Sequence, residues 1–307
     1  MLCLYPRPPP AMTATEPHRP PIFIVGCGDI GQRVARLELA AGNLVAALAR
    51  SEASARTLAA LGIRPIQGDL DHPATLTQLP AALATLYYFA PPPPTGGDDP
   101  RLRALLAALP APPERVVYIS TSGVYGDCQG AWIDEDAPLQ PRTDRARRRL
   151  AAESALLAWS GRQGVPCVIL RVPGIYGPGR LPVERIRQGI PVVHPAEAPY
   201  SNRIHADDLA AGCCAAARKG RPGTAYHLSD GHPTTMTDYF QRVADALGLP
   251  RPPLVGLAEA RRTFSPAMLS FLEESKRLDN RRMLEELGVV LRYPDLASGL
   301  PACLGEE

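Results

Sequence analysis

The chain has 307 residues, enough for one large domain or two smaller ones and for a core that needs no metal or disulfide staple. Hydrophobic residues make up 45% and charged residues 21%, which argues against disorder, collagen-like repeats and coiled coil. The formal net charge of +2 gives no electrostatic reason to expect a nucleic acid or a membrane surface as partner. Residues 1–20 lack an apolar core and are broken by prolines, so they read as a flexible tail and not as a secretory signal. From Pro21 the pattern changes. Ile22–Val25 is a continuous apolar run ended by glycine, as in a strand buried on both faces, and Ile30 to Ala41 reads as a helix. Asn43 to Ala49 is a second strand, Glu52 to Leu61 a helix stopped by Gly62, and Arg64 to Gln67 a third strand. Leu76 to Leu83 reads as helical, Thr85 to Ala90 as a fourth strand, and Pro91–Pro94 as a loop. Then come a helix over Arg101–Leu109, a strand over Arg115–Ser120, a long helix over Thr143–Arg162 and a strand over Cys167–Arg171. Further helices are expected at 206–219, 236–247, 265–274 and 280–287, with a strand near Tyr226.

Alternation of strand and helix with short connections predicts an α/β fold: a doubly wound parallel sheet with helices on both faces. The expected organisation is a nucleotide-binding domain over 21–172 and a smaller C-terminal substrate lobe over 173–307, with elements near 202–230 returning to pack on the first domain. The seven cysteines (Cys3, Cys27, Cys128, Cys167, Cys213, Cys214 and Cys303) are odd in number and show no metal-ligand spacing. They read as reduced thiols of a cytoplasmic protein without a metal site. No run approaches the ~18 apolar residues of a membrane-spanning helix. Lys219 and Lys276 are the only lysines, so chemistry that needs an ammonium has two positions to use.

Gly26-Cys27-Gly28-Asp29-Ile30-Gly31 fits G-x-G-x-x-G between a buried strand and a helix. There the first glycine permits the tight turn, the second lets backbone approach a pyrophosphate, and the third lets helix pack on strand. The helix N-terminus offers N–H groups and a positive dipole end to the anion. A ribose 2′-hydroxyl reader would be an acidic residue about 20 positions on. The second strand instead ends Leu48-Ala49-Arg50-Ser51, where the Arg50 guanidinium suits a 2′-phosphate, so NADP is favoured with NAD as the alternative. Asp69, with Leu70, follows the third strand at the ligand-binding end of the sheet and is placed to accept from an adenine amino group or to cap the next helix. Small Ala90 and Pro91 at the end of the fourth strand leave room for a ribose.

Ser120-Thr121-Ser122-Gly123-Val124-Tyr125-Gly126 adds a more specific signal. With the glycine loop, Gly68-Asp69-Leu70, the Arg171–Gly179 segment (RVPGIYGPG) and Asn202-Arg203-Ile204-His205-Ala206-Asp207-Asp208-Leu209, it resembles the extended short-chain dehydrogenases/reductases, and within them the NAD-dependent epimerase/dehydratase family, over about residues 21 to 290. The resemblance implies a Rossmann domain that binds NAD(P) and a lobe closing over a small, sugar-like or acyl substrate. It places Thr121 against a substrate oxygen, Tyr125 in the pocket wall and Pro173–Tyr176 beside the nicotinamide, with Ser122, Arg203 and His205 on the substrate side.

The same resemblance exposes a departure. Active relatives carry Tyr-x-x-x-Lys on the long helix, followed four residues later by Glu. Glu153 keeps its place here, which puts Arg149 at the lysine position and Arg145 at the tyrosine position, and residues 127–175 hold neither Tyr nor Lys before Ile175. The usual chemistry needs a phenol with its pKa lowered from about 10. Arginine stays protonated in proteins and cannot be that base, although Arg149 can still hold a ribose or an anion. Tyr125, Tyr176 and His205 remain as acid/base candidates. The arginines from Arg142 to Arg149 read as a solvated helix face, and Lys276-Arg277 with Asn280 as either a charged helix start or a reader of an anionic substrate. Two functions stay open. One is an NAD(P)-dependent oxidoreductase or epimerase-like enzyme with an atypical proton relay, acting on a small carbonyl or hydroxyl compound as monomer or homodimer. The other is a catalytically inactive NADP(H)-binding sensor or scaffold.

Overall fold

The computed structural model describes residues 20–305, so all but the last residue of the expected N-terminal tail, Cys3 included, lies outside the described residues. Seven strands form the central sheet: β1 (Ile22–Val25), β2 (Val45–Ala49), β3 (Arg64–Gln67), β4 (Thr85–Tyr88), β5 (Val116–Thr121), β6 (Cys167–Val172) and β7 (Thr224–His227). They lie in the order β3-β2-β1-β4-β5-β6-β7, and every neighbouring pair is parallel. This is the doubly wound Rossmann order. The strand order reverses between β1 and β4, which opens a crevice at the carboxyl ends of the strands. The strand expected near Tyr226 is β7, and it extends this sheet beside β6.

Crossovers are α1 (Asp29–Ala40), α2 (Glu52–Ala60), α3 (Pro100–Ala108), α4 (Asp144–Gln163) and α5 (Ala206–Lys219). Along β1, Ile22 and Ile24 face one core with Val34 of α1 and Leu209 and Cys213 of α5. Phe23 and Val25 face the other, with Leu102 and Leu105 of α3 and Leu156 of α4. The two-residue period of a strand thus serves both layers, which is why β1 reads as an unbroken apolar run and β6 as one up to Arg171. The lobe adds α6 (Met236–Ala246) and the helices Pro266–Leu272 and Leu296–Leu304, with a small core of its own that joins Ile186, Phe240, Val243 and Leu300.

One expected element differs. Leu76–Leu83 is not a helix: a 3₁₀ turn at Pro73–Thr75 leads into an irregular strap. Pro80 has no N–H to give and pushes Leu79 away from helical backbone, yet Leu76, Leu79 and Leu83 stay buried in the second core, so their apolar spacing serves a strap. The helix expected at 280–287 is present over 281–287, its last five residues, Met283–Leu287, wound as a π-helical turn ended by Gly288 at φ +64. Among the described residues no helix is long and apolar enough to cross a membrane.

Candidate functional site

A cavity of about 420 Å³ opens at the carboxyl ends of β5 and β6, between the first turns of α4 and the lobe. Thr121 and Ser122 reach it from β5, Pro173 from β6, Arg145 and Arg149 from α4, and Arg203, Tyr200 and Lys276 from the lobe side. Thr121 ends its strand by capping the 3₁₀ turn Ser122–Tyr125, its hydroxyl accepting from Gly123 N at 3.2 Å. Arg149 is anchored by strand-end oxygens: its Nη1 donates to Ile119 O at 2.9 Å, Tyr118 Oη at 3.2 Å and Ala90 O at 3.3 Å. The Lys276 ammonium is buried and spans Gly126 O and the Glu274 carboxylate, at 2.5 and 2.7 Å.

The glycine loop lies at the same end of the sheet, under β4. Gly26 sits at φ +87, and a Cβ there would strike the Ala90 backbone. A Cβ on Gly31 would press Gly26 O at 3.0 Å. Gly28 differs: its Cβ would meet no protein atom within 4 Å, and it caps α1 without a side-chain bond. The loop is therefore built with an open space at its second glycine and uncapped helix amides beside it, which fits a dinucleotide pyrophosphate. Ile30 is buried beneath, while the Asp29 carboxylate is held by Arg33 and Arg180, whose bonds keep it below the usual carboxylate range against the opposing effect of burial. Arg50 is exposed at the end of β2, and the Ser51 hydroxyl is engaged in capping α2 with Ser54. Asp69 accepts from Asp71 N at 3.0 Å and pairs with His72 at 3.2 Å; Leu70 is half-buried, Ala90 buried and Pro91 exposed.

Three expected acid/base groups are not in the cavity wall. The Tyr125 hydroxyl is buried, 2.6 Å from His227 Nε2 and 2.7 Å from an Arg171 guanidinium nitrogen. The Tyr176 hydroxyl donates to Asp295 O at 3.1 Å, and its ring packs against His205 and the backbone at Gly299. Burial pushes both phenols up, opposite to what a base requires. His205 caps α5, its Nδ1 accepting from Asp207 N at 3.2 Å with the ring against Tyr293, and burial lowers its pKa. Tyr176 and His205 end two short parallel strands, Gly174–Tyr176 and Arg203–His205, and their rings pack against each other, while the Tyr125 hydroxyl is turned toward His227 and Arg171. Tyr125→Phe therefore removes a buried bond shared by His227 and Arg171. It is expected to lower unfolding free energy by about 1–3 kcal/mol while dinucleotide binding, measured calorimetrically, stays unchanged.

The arginine face of α4 also differs from the expected solvated surface: Arg148 is buried with Nη1 on Gly96 O, and Arg145 and Arg149 line the cavity. Reading the residues in order missed Tyr200, the one phenol among the described residues that line the cavity. It lies in a two-residue ladder with Thr234–Thr235, too short for periodicity to mark, and carries the Arg277 guanidinium 4.7 Å from its ring centroid.

Residues 100–229 match the model of the NAD dependent epimerase/dehydratase family, and residues 22–90 match that of the TrkA-N domain. A ketoreductase of Stigmatella aurantiaca (4-hydroxy-2-methyl-3-oxo-4-farnesyl-3,4-dihydroquinoline-1-oxide ketoreductase) is 27% identical over 73% of this chain and 72% of its own. Against human and Actinoplanes dTDP-glucose 4,6-dehydratases the match spans less than half of their length. Among solved structures, a conserved protein of unknown function from Silicibacter pomeroyi aligns with a TM-score of 0.78 and 32% identity over 93% of this chain and 98% of its own. A Methylobacillus flagellatus protein assigned to the NAD-dependent epimerase/dehydratases aligns with a TM-score of 0.67 and 30% identity over 93% and 97%.

Proposed function

Because the chain belongs to the NAD-dependent epimerase/dehydratase family, we propose that it is an NAD(P)-dependent oxidoreductase acting on a small carbonyl or hydroxyl compound in the cavity beyond β5. The observation that carries this reading is the cavity itself: Thr121, Ser122 and Arg149 converge on it at the end of the sheet where the glycine loop lies. Gly26, Gly28, Asp29, Ile30 and Gly31 form the pyrophosphate cradle, with the amides of α1 as donors. Asp69 and Leu70 serve the adenine, Ala90, Pro91 and Arg149 the riboses, and Pro173 flanks the nicotinamide. Arg50 takes a 2′-phosphate, next to the capping Ser51, which favours NADP(H) over NAD(H). When bound, the cofactor supplies or accepts a hydride. The chain does the remainder: Thr121 and Ser122 orient the substrate oxygen, and the fixed charge of Arg149 stabilises the charge that develops on it. Tyr200 replaces Tyr125 and Tyr176 as the phenol that exchanges a proton with the substrate.

A panel of ketones, aldehydes and oxo-acids with NADPH and NADH tests this reading. NADPH is expected to be consumed faster than NADH, and Tyr200→Phe to lower kcat by about 100-fold. The burial of Tyr125 and Tyr176 favours a second reading, a catalytically inactive NADP(H)-binding sensor or scaffold. Micromolar NADPH binding without turnover on any member of the panel would select it.

A further inference from the structure

A second cavity of about 220 Å³ adjoins the first, and both are lined by Ile175, Arg203, Met236 and Phe271. Its walls are aromatic, and its charged groups are all guanidinium: Arg180, Arg185 and Arg203. Arg180 is committed to Asp29. Arg203 is buried, and its guanidinium meets only Asn202 O at 3.4 Å, Met236 Sδ at 3.2 Å and the face of Tyr239 at 4.1 Å, with Nε left without a partner among the described residues. Arg185 lies over Phe240 at 4.4 Å, and its Nε is likewise unpartnered. No carboxylate forms an ion pair with either arginine among the described residues. Asp230, whose N donates to Arg203 O at 2.9 Å, makes no ion pair with the guanidinium; its Oδ1 accepts from His232 N and burial pushes its carboxyl up to about 7. Contact with an aromatic face is weaker than the cost of taking a guanidinium out of water. The chain nevertheless makes room for the charge: Gly174 lies against the Arg203 guanidinium where any Cβ would collide with it.

We propose that the smaller cavity is a subsite for an oxyanion at the far end of the substrate, a carboxylate or a phosphate, held by Arg203 and Arg185. A low-dielectric wall strengthens charge-assisted bonds to such a group, and the planar guanidinium matches its paired oxygens. The substrate is then an oxo- or hydroxy-compound with its anionic end separated from the reacting carbon by a short apolar spacer, which packs against Met236 and Phe271. This rests on the reading of the larger cavity as the reaction site, so the test is read without turnover.

Calorimetric titrations use the full chain carrying Gly28→Val, which keeps the glycine loop from contributing, with succinate, inorganic phosphate and the uncharged succinamide. Saturable binding of an anion with a Kd below about 1 mM, and none of succinamide, is expected. Arg185→Gln and Arg203→Gln should each weaken it by about tenfold or more. The tighter anion names the group, carboxylate or phosphate. Absence of anion binding, or binding unchanged in Arg185→Gln, overturns the proposal. Arg185 is less buried than Arg203 and decides the matter if Arg203→Gln does not fold. Anion binding without turnover on any carbonyl sinks the oxidoreductase reading and leaves the subsite standing; turnover of neutral ketones without anion binding does the reverse.

Discussion

Glu153→Gln is expected to lower the unfolding free energy by about 3–5 kcal/mol, because it strips a buried guanidinium of its counter-ion. Arg171 Nη2 meets Glu153 Oε2 at 2.9 Å, with side chains 7% and 2% exposed, and the Ser120 hydroxyl donates to the other carboxylate oxygen. The pair joins α4 to β5 and β6 directly beneath Thr121. Arg171 also donates to Tyr125 Oη and to Glu135 O at 2.8 Å, so glutamine would leave one positive charge to be shared among neutral acceptors. Replacing both partners, as Glu153→Leu with Arg171→Met, should recover part of the loss and no more, since the Glu135 carbonyl and the Tyr125–His227 pair would stay short of a donor. Urea denaturation of the two variants measures this. A loss below about 1 kcal/mol for Glu153→Gln would mean that the pair is solvated and contributes as a surface bridge does.

Gly28→Val is expected to leave the fold intact and to abolish dinucleotide binding. The backbone there is extended at φ −79, and the new side chain points into space that no protein atom fills, so the loss of stability should be that of a poorer helix cap, no more than about 1 kcal/mol. Affinity for NADPH should fall by well over tenfold, at least ~1.4 kcal/mol, because the side chain occupies the approach to the helix amides. Gly26→Val would mix the two effects, since φ +87 and the nearby Ala90 backbone make glycine a folding requirement there. Calorimetry beside a melting curve separates them. Unchanged NADPH affinity in Gly28→Val would place any nucleotide elsewhere and remove the basis of the proposed function.

How much of this was legible in order of residues depends on the range of the interaction involved. Runs such as Ile22–Val25 and Cys167–Arg171 announce strands buried on both faces, and Gly62, at positive φ, closes a helix as its position predicts. The glycine loop was readable because strand, turn and helix are contiguous and each glycine answers a local steric demand. Leu76–Leu83 misled because apolar spacing reports burial, and a strap around Pro80 buries the same leucines as a helix would.

The amino-acid sequence by itself determined the parallel αβ layering, the glycine-rich turn after β1 and the absence of tyrosine from α4. Each is a property of neighbours along the chain. Only the tertiary structure decided which polar groups share one cavity: it turned Tyr125 toward His227, 102 residues away, and Tyr176 toward Asp295, while it put Tyr200 and Arg203 in the wall of the cavity that Thr121 lines. A side chain's direction at a strand end depends on what the returning lobe packs against it, and that contact is made by segments no local pattern connects.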